Sequence, residues 1–242
     1  IFSLLARLAQ APRRVGFRRQ PHGGWVVARA VPYGALRHEI DCYLDLVEAA
    51  GWPVDRADIA LEAPGAGTCE PASGAVVMVN SGGANANENS QVRRLPDALF
   101  GELVEACAAR QEVVFLGAPS EREQYQRFAG PGRINLCGRT SLAEATAVLG
   151  QAQRVITTDT GLMHLAAAVN PNVTAVFGPT HPLRKCPPNA RWVWGDMERY
   201  ESRYEVFGRV PAGRFFSSLS VAEILERAQP SPLAARRMSE PA

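Results

Sequence analysis

The sequence predicts an α/β protein whose main domain is a Rossmann-like parallel sheet, and two observations carry this. From Ala75 onward short, β-branched apolar runs recur, with helix-patterned segments between them. The runs hold few polar residues, as strands covered on both faces must. Strand–helix alternation at this spacing requires right-handed crossovers above and below a parallel sheet.

Taken in order, strands are expected at Val76–Asn80, Val113–Leu116, Ile134–Leu136, Val155–Thr158 and Val173–Phe177. A helix expected over Asp97–Arg110 puts Leu99, Phe100, Leu103, Val104 and Cys107 on one face. Another, expected over Leu142–Ala152, is opened by Ser141 with Glu144 three residues on, a capping box. Ser220 with Glu223 opens a last helix in the same way, expected to end near Ala228. Ahead of the sheet, Asp41–Ala50 has the spacing of an amphipathic helix with Tyr43, Leu44 and Val47 inward. Pro64–Gly74 has linker composition, and Pro230–Ala242 that of a disordered tail. The expected organisation is a partial N-terminal domain over 1–70, the main domain over 75–215, a C-terminal helix within 216–229 and the tail 230–242.

Composition is that of an ordinary globular chain: 242 residues, 46% apolar and 21% charged, net charge +2. The charge is uneven. Arg7, Arg13, Arg14, Arg18, Arg19, Arg29 and Arg37 all precede the first acidic residue, Glu39. Such a stretch either attracts phosphate or carboxylate groups or forms a solvated face. Cys42, Cys69, Cys107, Cys137 and Cys186 are scattered with no C-x-x-C pair, which argues against a zinc site or disulfide scaffold and suits a reducing cytoplasm. Asn170, Pro171 and Asn172 interrupt the longest apolar run, so no bilayer-spanning segment is expected. The chain opens on Ile rather than Met, and its first eight residues are too short and too arginine-punctuated for a secretory signal. The start of the protein is therefore expected upstream.

Three loops that leave a strand and enter a helix carry the functional reading, because open parallel sheets bind ligands outside the carboxyl ends of their strands. The sharpest is Thr158-Asp159-Thr160-Gly161-Leu162-Met163-His164, a strand end, a small polar turn and the start of an alanine-rich helix. The first-turn N–H groups and the helix dipole make an anion site; Gly161 admits close approach, and His164 falls in the first turn. Asp159 or Thr160 fits a plain helix cap equally well. The second loop is Ser81-Gly82-Gly83-Ala84-Asn85, followed by Arg93-Arg94 just ahead of a helix. Its glycines expose N–H groups to a phosphate that an arginine can clamp, although it is neither a P-loop nor G-x-G-x-x-G. In the third, Gly117-Ala118-Pro119-Ser120-Glu121, the carboxylate can accept from ribose hydroxyls or sit as a favourable charge in a helix's first turn.

Asp159-Thr160-Gly161-Leu162-Met163-His164-Leu165-Ala166-Ala167, followed by Ala175-Val176-Phe177-Gly178-Pro179-Thr180-His181-Pro182, resembles the ADP-heptose:lipopolysaccharide heptosyltransferases, glycosyltransferase family 9. The likeness covers residues 75 to 185 closely and extends loosely to Arg14-Val15-Gly16-Phe17-Arg18 and His38…Tyr43-Leu44. It implies a GT-B architecture: two facing Rossmann-like domains, the N-terminal one incomplete here, with an ADP-sugar donor held mainly by the C-terminal one. By that likeness Gly82, Gly83, Arg93, Glu121, Thr140, Asp159, Thr160, Gly161, Leu162 and His164 line the donor site. The turn from Asp159 to Leu162 holds the diphosphate, with Arg93 where the family has a lysine. Glu121 matches the ribose-binding acid, Thr140 falls near the adenine and His164 near the sugar. Asp159, an anion facing an anion, is expected to hold its turn by accepting from backbone N–H groups or to engage sugar hydroxyls.

The resemblance further implies inverting, metal-independent transfer of a sugar, heptose in the family, to a lipopolysaccharide-core or related glycan acceptor. No Asp-x-Asp stands in the sequence, and no cofactor or metal is expected. The family's general base is an aspartate early in the N-terminal domain, expected upstream of Ile1, so no catalytic residue is assigned. A cytoplasmic location follows, peripheral at the inner membrane, where an anionic glycolipid acceptor would meet the basic segment. The chain departs from the family in reading Ser81-Gly82 for Pro-Gly and Arg93-Arg94-Leu95-Pro96 for Lys-x-Trp-Pro; arginine keeps the charge but brings a planar fork. The alternative is a non-catalytic nucleotide-sugar-binding fragment. A nicotinamide oxidoreductase lacks its dinucleotide fingerprint, and a nucleic-acid partner is not expected, since no aromatic platform or helix-turn-helix accompanies the arginines.

Overall fold

A computed structural model describes residues 13–18, 29–33, 37–56, 74–82, 90–202 and 213–229, together with Leu8, Gln10, Tyr204 and Val210. Gly83 and the expected linker and tail lie outside the described residues, apart from Gly74 at the linker's end.

Ahead of the main sheet, β1 (Val15–Arg18) and β2 (Arg29–Pro32) pair in parallel, Val15 opposite Arg29. The helix α1 (Glu39–Ala49) packs on both. His38 caps it, Nδ1 accepting from the Ile40 N–H at 3.2 Å. The inward residue of its first turns is Cys42, fully buried, whereas Tyr43 is 52% exposed and meets Phe17 only edge-on. Tyr43 is thus not inward as expected, whereas Leu44 and Val47 are half-buried. Two strands cover only a narrow stripe of helix, and a small buried thiol fits there better than a phenol. The basic segment is partly engaged locally. Arg13 and Arg29 donate to the carbonyls of Ala50 and Ala49 at the carboxyl end of α1, where a cation complements the dipole. Arg37 pairs with Asp45.

The main sheet has six parallel strands: β3 (Val76–Val79), β4 (Val113–Phe115), β5 (Arg133–Asn135), β6 (Arg154–Thr158), β7 (Val173–Phe177) and β8 (Arg191–Trp194). Their order is β5-β4-β3-β6-β7-β8. Val76, Met78, Val113 and Phe115 face one core, with α2 (Asp97–Ala108) and α7 (Val221–Arg227). Val77, Val79, Val114 and Val155 face the other, with α4 (Leu142–Gln151) and α5 (Gly161–Val169). Successive side chains in a strand point to opposite faces, so both faces are buried and neither needs polar residues. Both expected capping boxes form, Ser141 with Glu144 and Ser220 with Glu223. Two further helices are short, α3 (Arg122–Gln126) and α6 (Pro182–Lys185). β8 lies outside the sequence expectation. Its run Arg-Trp-Val-Trp is an edge strand whose side chains are all half-buried, so it lacks the apolar continuity of its neighbours.

The strand order reverses between β3 and β6. The chain moves out through β4 and β5 on one side, then returns to β6 and moves out the other way. A crevice opens at such a point, outside the carboxyl ends of the strands.

Candidate functional site

At the carboxyl ends of β3 and β6, side chains stitch the departing loops together. The Thr158 hydroxyl accepts from the Ser81 N–H at 3.0 Å and donates to the Ser81 carbonyl at 2.6 Å. The buried Asn80 side chain accepts from the Leu95 N–H at 2.8 Å and donates to the Leu95 carbonyl at 3.1 Å. Arg94 Nε adds a bond to the Asn80 carbonyl at 3.2 Å, and the Asn80 N–H donates to the hydroxyl of Tyr125, on α3. Burial pushes that phenol's pKa well up, with Glu121 adding to the rise. The segment ahead of α2 is thereby held against the end of β3.

That pinning puts Arg93 beside the turn that follows β6. Its Nη1 lies 3.4 Å from Asp159 Oδ2, and the two side chains are only 12% and 6% exposed. The same oxygen accepts from the Thr180 hydroxyl, beyond β7, at 2.7 Å. Asp159 is therefore held by Thr180 and Arg93 rather than by the backbone N–H groups of its own turn, the first of the two roles expected for it. Of the two cap candidates, Thr160 is the cap of α5, accepting from the Leu162 N–H at 3.2 Å. At Gly161, the first residue of the helix, a Cβ would meet nothing within 4 Å, so the backbone there faces open space.

Farther along the same edge, Glu121 follows β4 and Thr140 follows β5. Glu121 Oε2 folds back to accept from the Ala118 N–H at 2.8 Å, so the helix-start role holds for that oxygen. Gly117 leaves it room: a Cβ there would sit 2.8 Å from Oε2 and 3.1 Å from Cys137 Sγ. Burial, then Glu121, pushes the Cys137 thiol up to about 12, and Cys186 is pushed as far by burial and then Asp159. Thr140 is half-buried and Gly82 buried.

His164, on the first turn of α5, opens into a cleft of about 1260 Å³ between α5 and α1, which His38, Asp41 and Arg56 line from the other side. Desolvation by the surrounding protein lowers its imidazole below the ordinary histidine value, against the opposing pull of Asp159 and Glu39. The cleft shares Gly161, Leu162 and His164 with the predicted set, but its lining does not include Arg93, Glu121 or Asp159. The predicted residues thus form a row along the sheet edge with the cleft at one end.

Beyond β7 the loop from Gly178 to Thr180 is tightly fixed. Trp194 Nε1 donates to the Gly178 carbonyl at 2.9 Å, and a Cβ on Gly178 would lie 2.5 Å from the Phe216 ring. His181 caps α6 and packs on Trp194 and Tyr200. The far end of α6 docks on α1: Glu39 meets Lys185 at 2.7 Å and Arg184 at 3.5 Å. Arg184 stacks on Tyr33, whose hydroxyl donates to Glu39 at 2.8 Å. His38 Nε2 donates to the Cys186 carbonyl at 2.8 Å.

Sequence reasoning missed Asn80, Tyr125, Thr158 and Thr180 as builders of this site. Thr158 and Thr180 carried a signal, the first opening the Thr158-Asp159-Thr160-Gly161 loop and the second standing inside the Phe177-Gly178-Pro179-Thr180 motif. Among the described residues, no group of three or more His, Cys, Asp or Glu side chains is arranged to hold a metal ion, and no helix is long and apolar enough to cross a membrane.

Residues 2–203 match Glycosyltransferase family 9 (heptosyltransferase). Over 90 residues the chain is 40% identical to lipopolysaccharide heptosyltransferase 1 of Pseudomonas aeruginosa; that stretch is 36% of this chain and 25% of that protein. The chain thus spans about a quarter of this curated relative. Its fold is similar to that of E. coli ADP-heptose lps heptosyltransferase II, with a TM-score of 0.66 and 18% identity, covering 93% of this chain and 71% of the other. It is similar also to E. coli heptosyltransferase WaaC solved with ADP, with a TM-score of 0.56 and 19% identity, covering 88% and 63%. These likenesses show the fold.

Proposed function

Because the chain belongs to glycosyltransferase family 9, the heptosyltransferase family, we propose that it binds an ADP-sugar along the carboxyl edge of its six-stranded sheet. In the whole protein this edge serves transfer of the sugar, heptose in the nearest reading, to a lipopolysaccharide-core or related glycan acceptor. One observation carries the reading: Arg93 and Thr180 converge on a single oxygen of Asp159 at the switch point of the sheet. Around it the candidates are ordered as a nucleotide sugar is. Thr140 follows β5, Glu121 follows β4, Gly82 and Arg93 follow β3, and Asp159 to His164 follow β6. Three strand spacings of ~4.8 Å give this row a span of roughly 14 Å, suited to an extended nucleoside diphosphate with adenine at the Thr140 end. That ADP accompanies one structural neighbour supports the adenine choice.

Transfer leaves a nucleoside diphosphate whose charge must be met as it develops. Arg93 and the amino end of α5 meet it here, without a metal. The sugar lies toward His164, and the acceptor approaches through the cleft between α5 and α1. The acceptor hydroxyl is deprotonated by an aspartate of the N-terminal domain, giving inversion, with the enzyme peripheral at the cytoplasmic face of the inner membrane. Calorimetry of the chain with ADP and with UDP tests the donor. The expected result is measurable ADP binding at least tenfold tighter than UDP; equal or tighter UDP binding removes the ADP-sugar assignment.

A further inference from the structure

We infer that Gly138 is a positioning residue for the ribose end of the donor: lying bare against Pro119, it seats the turn that carries Glu121 and so aims the carboxylate. The inference rests on the donor reading above. Gly138 follows β5 with φ +66°, in the left-handed region that favours glycine. A Cβ there would lie 2.6 Å from the Pro119 Cα and 2.9 Å from its Cβ. The first of these is a backbone atom, so no side-chain rotation relieves the overlap, and one of the two loops must move. Glu121 stands in the same single 3₁₀ turn as Pro119. Its Oε2 accepts from the Ala118 N–H at 2.8 Å, while Oε1 accepts from none of the described residues. Oε1 is thus the oxygen that a ribose hydroxyl would meet.

The loop that carries Gly138 is the firmer of the two. The Gly138 N–H donates to the Gly117 carbonyl at 3.0 Å, and the Arg139 N–H closes back on the Leu136 carbonyl at 2.9 Å. The Cys137 N–H donates to the Asn135 side chain at 3.0 Å. The far side of the Glu121 turn is clamped as well. Asn135 Nδ2 donates to the Arg122 carbonyl at 2.9 Å, and the Tyr125 hydroxyl on α3 accepts from the Asn80 N–H. Between these fixtures stands Pro119, which has no N–H by which to be held. A methyl group added at Gly138 therefore displaces the stretch from Pro119 to Glu121 and carries the carboxylate away from the ribose, with β4, β5 and α3 left in place.

The test is calorimetry with ADP and with 2′,3′-dideoxy-ADP on four forms of the chain: unaltered, Gly138→Ala, Gly132→Ala and Glu121→Ala. Gly132 is the control. Its φ is +68°, and a Cβ there would meet nothing within 4 Å, so alanine brings the same backbone strain without the collision. It precedes β5, at the opposite edge of the sheet from the donor row. The unaltered chain and Gly132→Ala are expected to bind ADP about tenfold tighter than the dideoxy analogue, the contribution of a hydrogen bond to a charged group. In Gly138→Ala and in Glu121→Ala that preference should fall to about twofold or less, through weaker ADP binding with the analogue nearly unaffected. Should Gly138→Ala not fold, as read by circular dichroism, Pro119→Gly takes its place, since it removes the other half of the contact and frees the same turn. A preference kept in the Gly138 variant or its replacement, or lost equally in Gly132→Ala, overturns the inference while leaving the donor reading intact. Equal binding of the two nucleotides by the unaltered chain, or a preference that survives Glu121→Ala, removes the ribose contact of Glu121 and the inference with it. No ADP binding by the unaltered chain overturns the donor reading as well.

Discussion

The hydroxyl of Tyr125, wholly buried on α3, accepts the backbone N–H of Asn80, the residue that follows β3 at the switch point. An aromatic side chain from a helix thus completes the hydrogen bonding of a strand end that has run out of ladder partners. The Asn80 side chain then fixes Leu95 and, through it, the approach of Arg93.

Removing that hydroxyl leaves a buried N–H without its acceptor. Tyr125→Phe keeps the edge-on ring contact with Phe100, so only the polar loss is read. The expected cost is about 2 kcal/mol, or roughly 4–8 °C in Tm for a chain of this size, with ADP affinity reduced as well because the Arg93 segment loosens. A fall of less than about 1 °C in thermal unfolding would mean that the bond contributes nothing.

Arg93 and Asp159 should respond in opposite ways despite lying together. Arg93→Ala removes a charge-assisted contact and is expected to weaken ADP by about 2 kcal/mol, near thirtyfold, with the loss shrinking at high salt. Asp159→Asn removes the anion that competes for Arg93, so ADP binding should hold or tighten while sugar transfer by the whole protein falls. Parallel losses of ADP affinity in the two variants would show that Asp159 contacts the nucleotide directly.

How far the site could be read from sequence follows from the range of each contact. Strand runs such as Val113–Phe115 and caps such as Ser141 with Glu144 are local patterns, and the sheet order follows from parallel crossovers. β8 escaped because an edge strand, half-exposed and opened by Arg191, loses the apolar continuity that marks β3 or β7. The motif residues Asp159 and Thr180 were visible one by one. Their shared hydrogen bond was not, since it spans two neighbouring strands. Nor did any pattern predict that Asn80 would hold Leu95, or that α1 would dock on α6. Tyr43 was placed inward by hydrophobicity alone, and the narrow two-stranded sheet beneath α1 gave that stripe to Cys42.

Acid should weaken the far end of the sheet through Asp196. This residue is buried beyond β8 and accepts from the Ser217 N–H and hydroxyl at 2.9 and 2.7 Å and from the Ser218 N–H at 3.0 Å. Burial raises its pKa, but these bonds outweigh burial and leave it below the usual aspartate value. A carboxylate with a depressed folded-state pKa stabilises the fold above its unfolded value of ~3.9 and loses that contribution as pH falls through the folded one. Unfolding midpoints in denaturant should therefore drop below about pH 4, and Asp196→Asn should be about 2 kcal/mol less stable at pH 7 with a smaller acid dependence. An unaltered acid dependence would assign the effect to other carboxylates.

The docking of α1 on α6 yields an asymmetry between the partners of one ion pair. Arg184 has none of its side chain exposed, while Glu39 is 22% exposed and also holds Lys185 at 2.7 Å. Taking away Glu39 removes a carboxylate from beside the buried guanidinium of Arg184, which also meets the Tyr33 ring and the Arg37 carbonyl, and breaking a buried pair from one side typically costs 3–5 kcal/mol. Partial exposure at Glu39 lowers this to about 2–3 kcal/mol for Glu39→Gln. Arg184→Met leaves Glu39 paired with Lys185 and fills the same space with an apolar chain, so its cost should be smaller, near 1 kcal/mol. Burial raises the Glu39 pKa, but Lys185, Tyr33 and Arg184 overcome it and leave the carboxyl below its ordinary value. Its contribution is thus complete above the unfolded value of ~4.3 and fades as pH falls below it. Denaturant unfolding of both variants at pH 7 and at pH 4 checks the ranking: Glu39→Gln should be the less stable at pH 7, with the gap narrowing at pH 4. If Arg184→Met proves the costlier, the dock is held by the packing of Arg184 on Tyr33 and not by its charge.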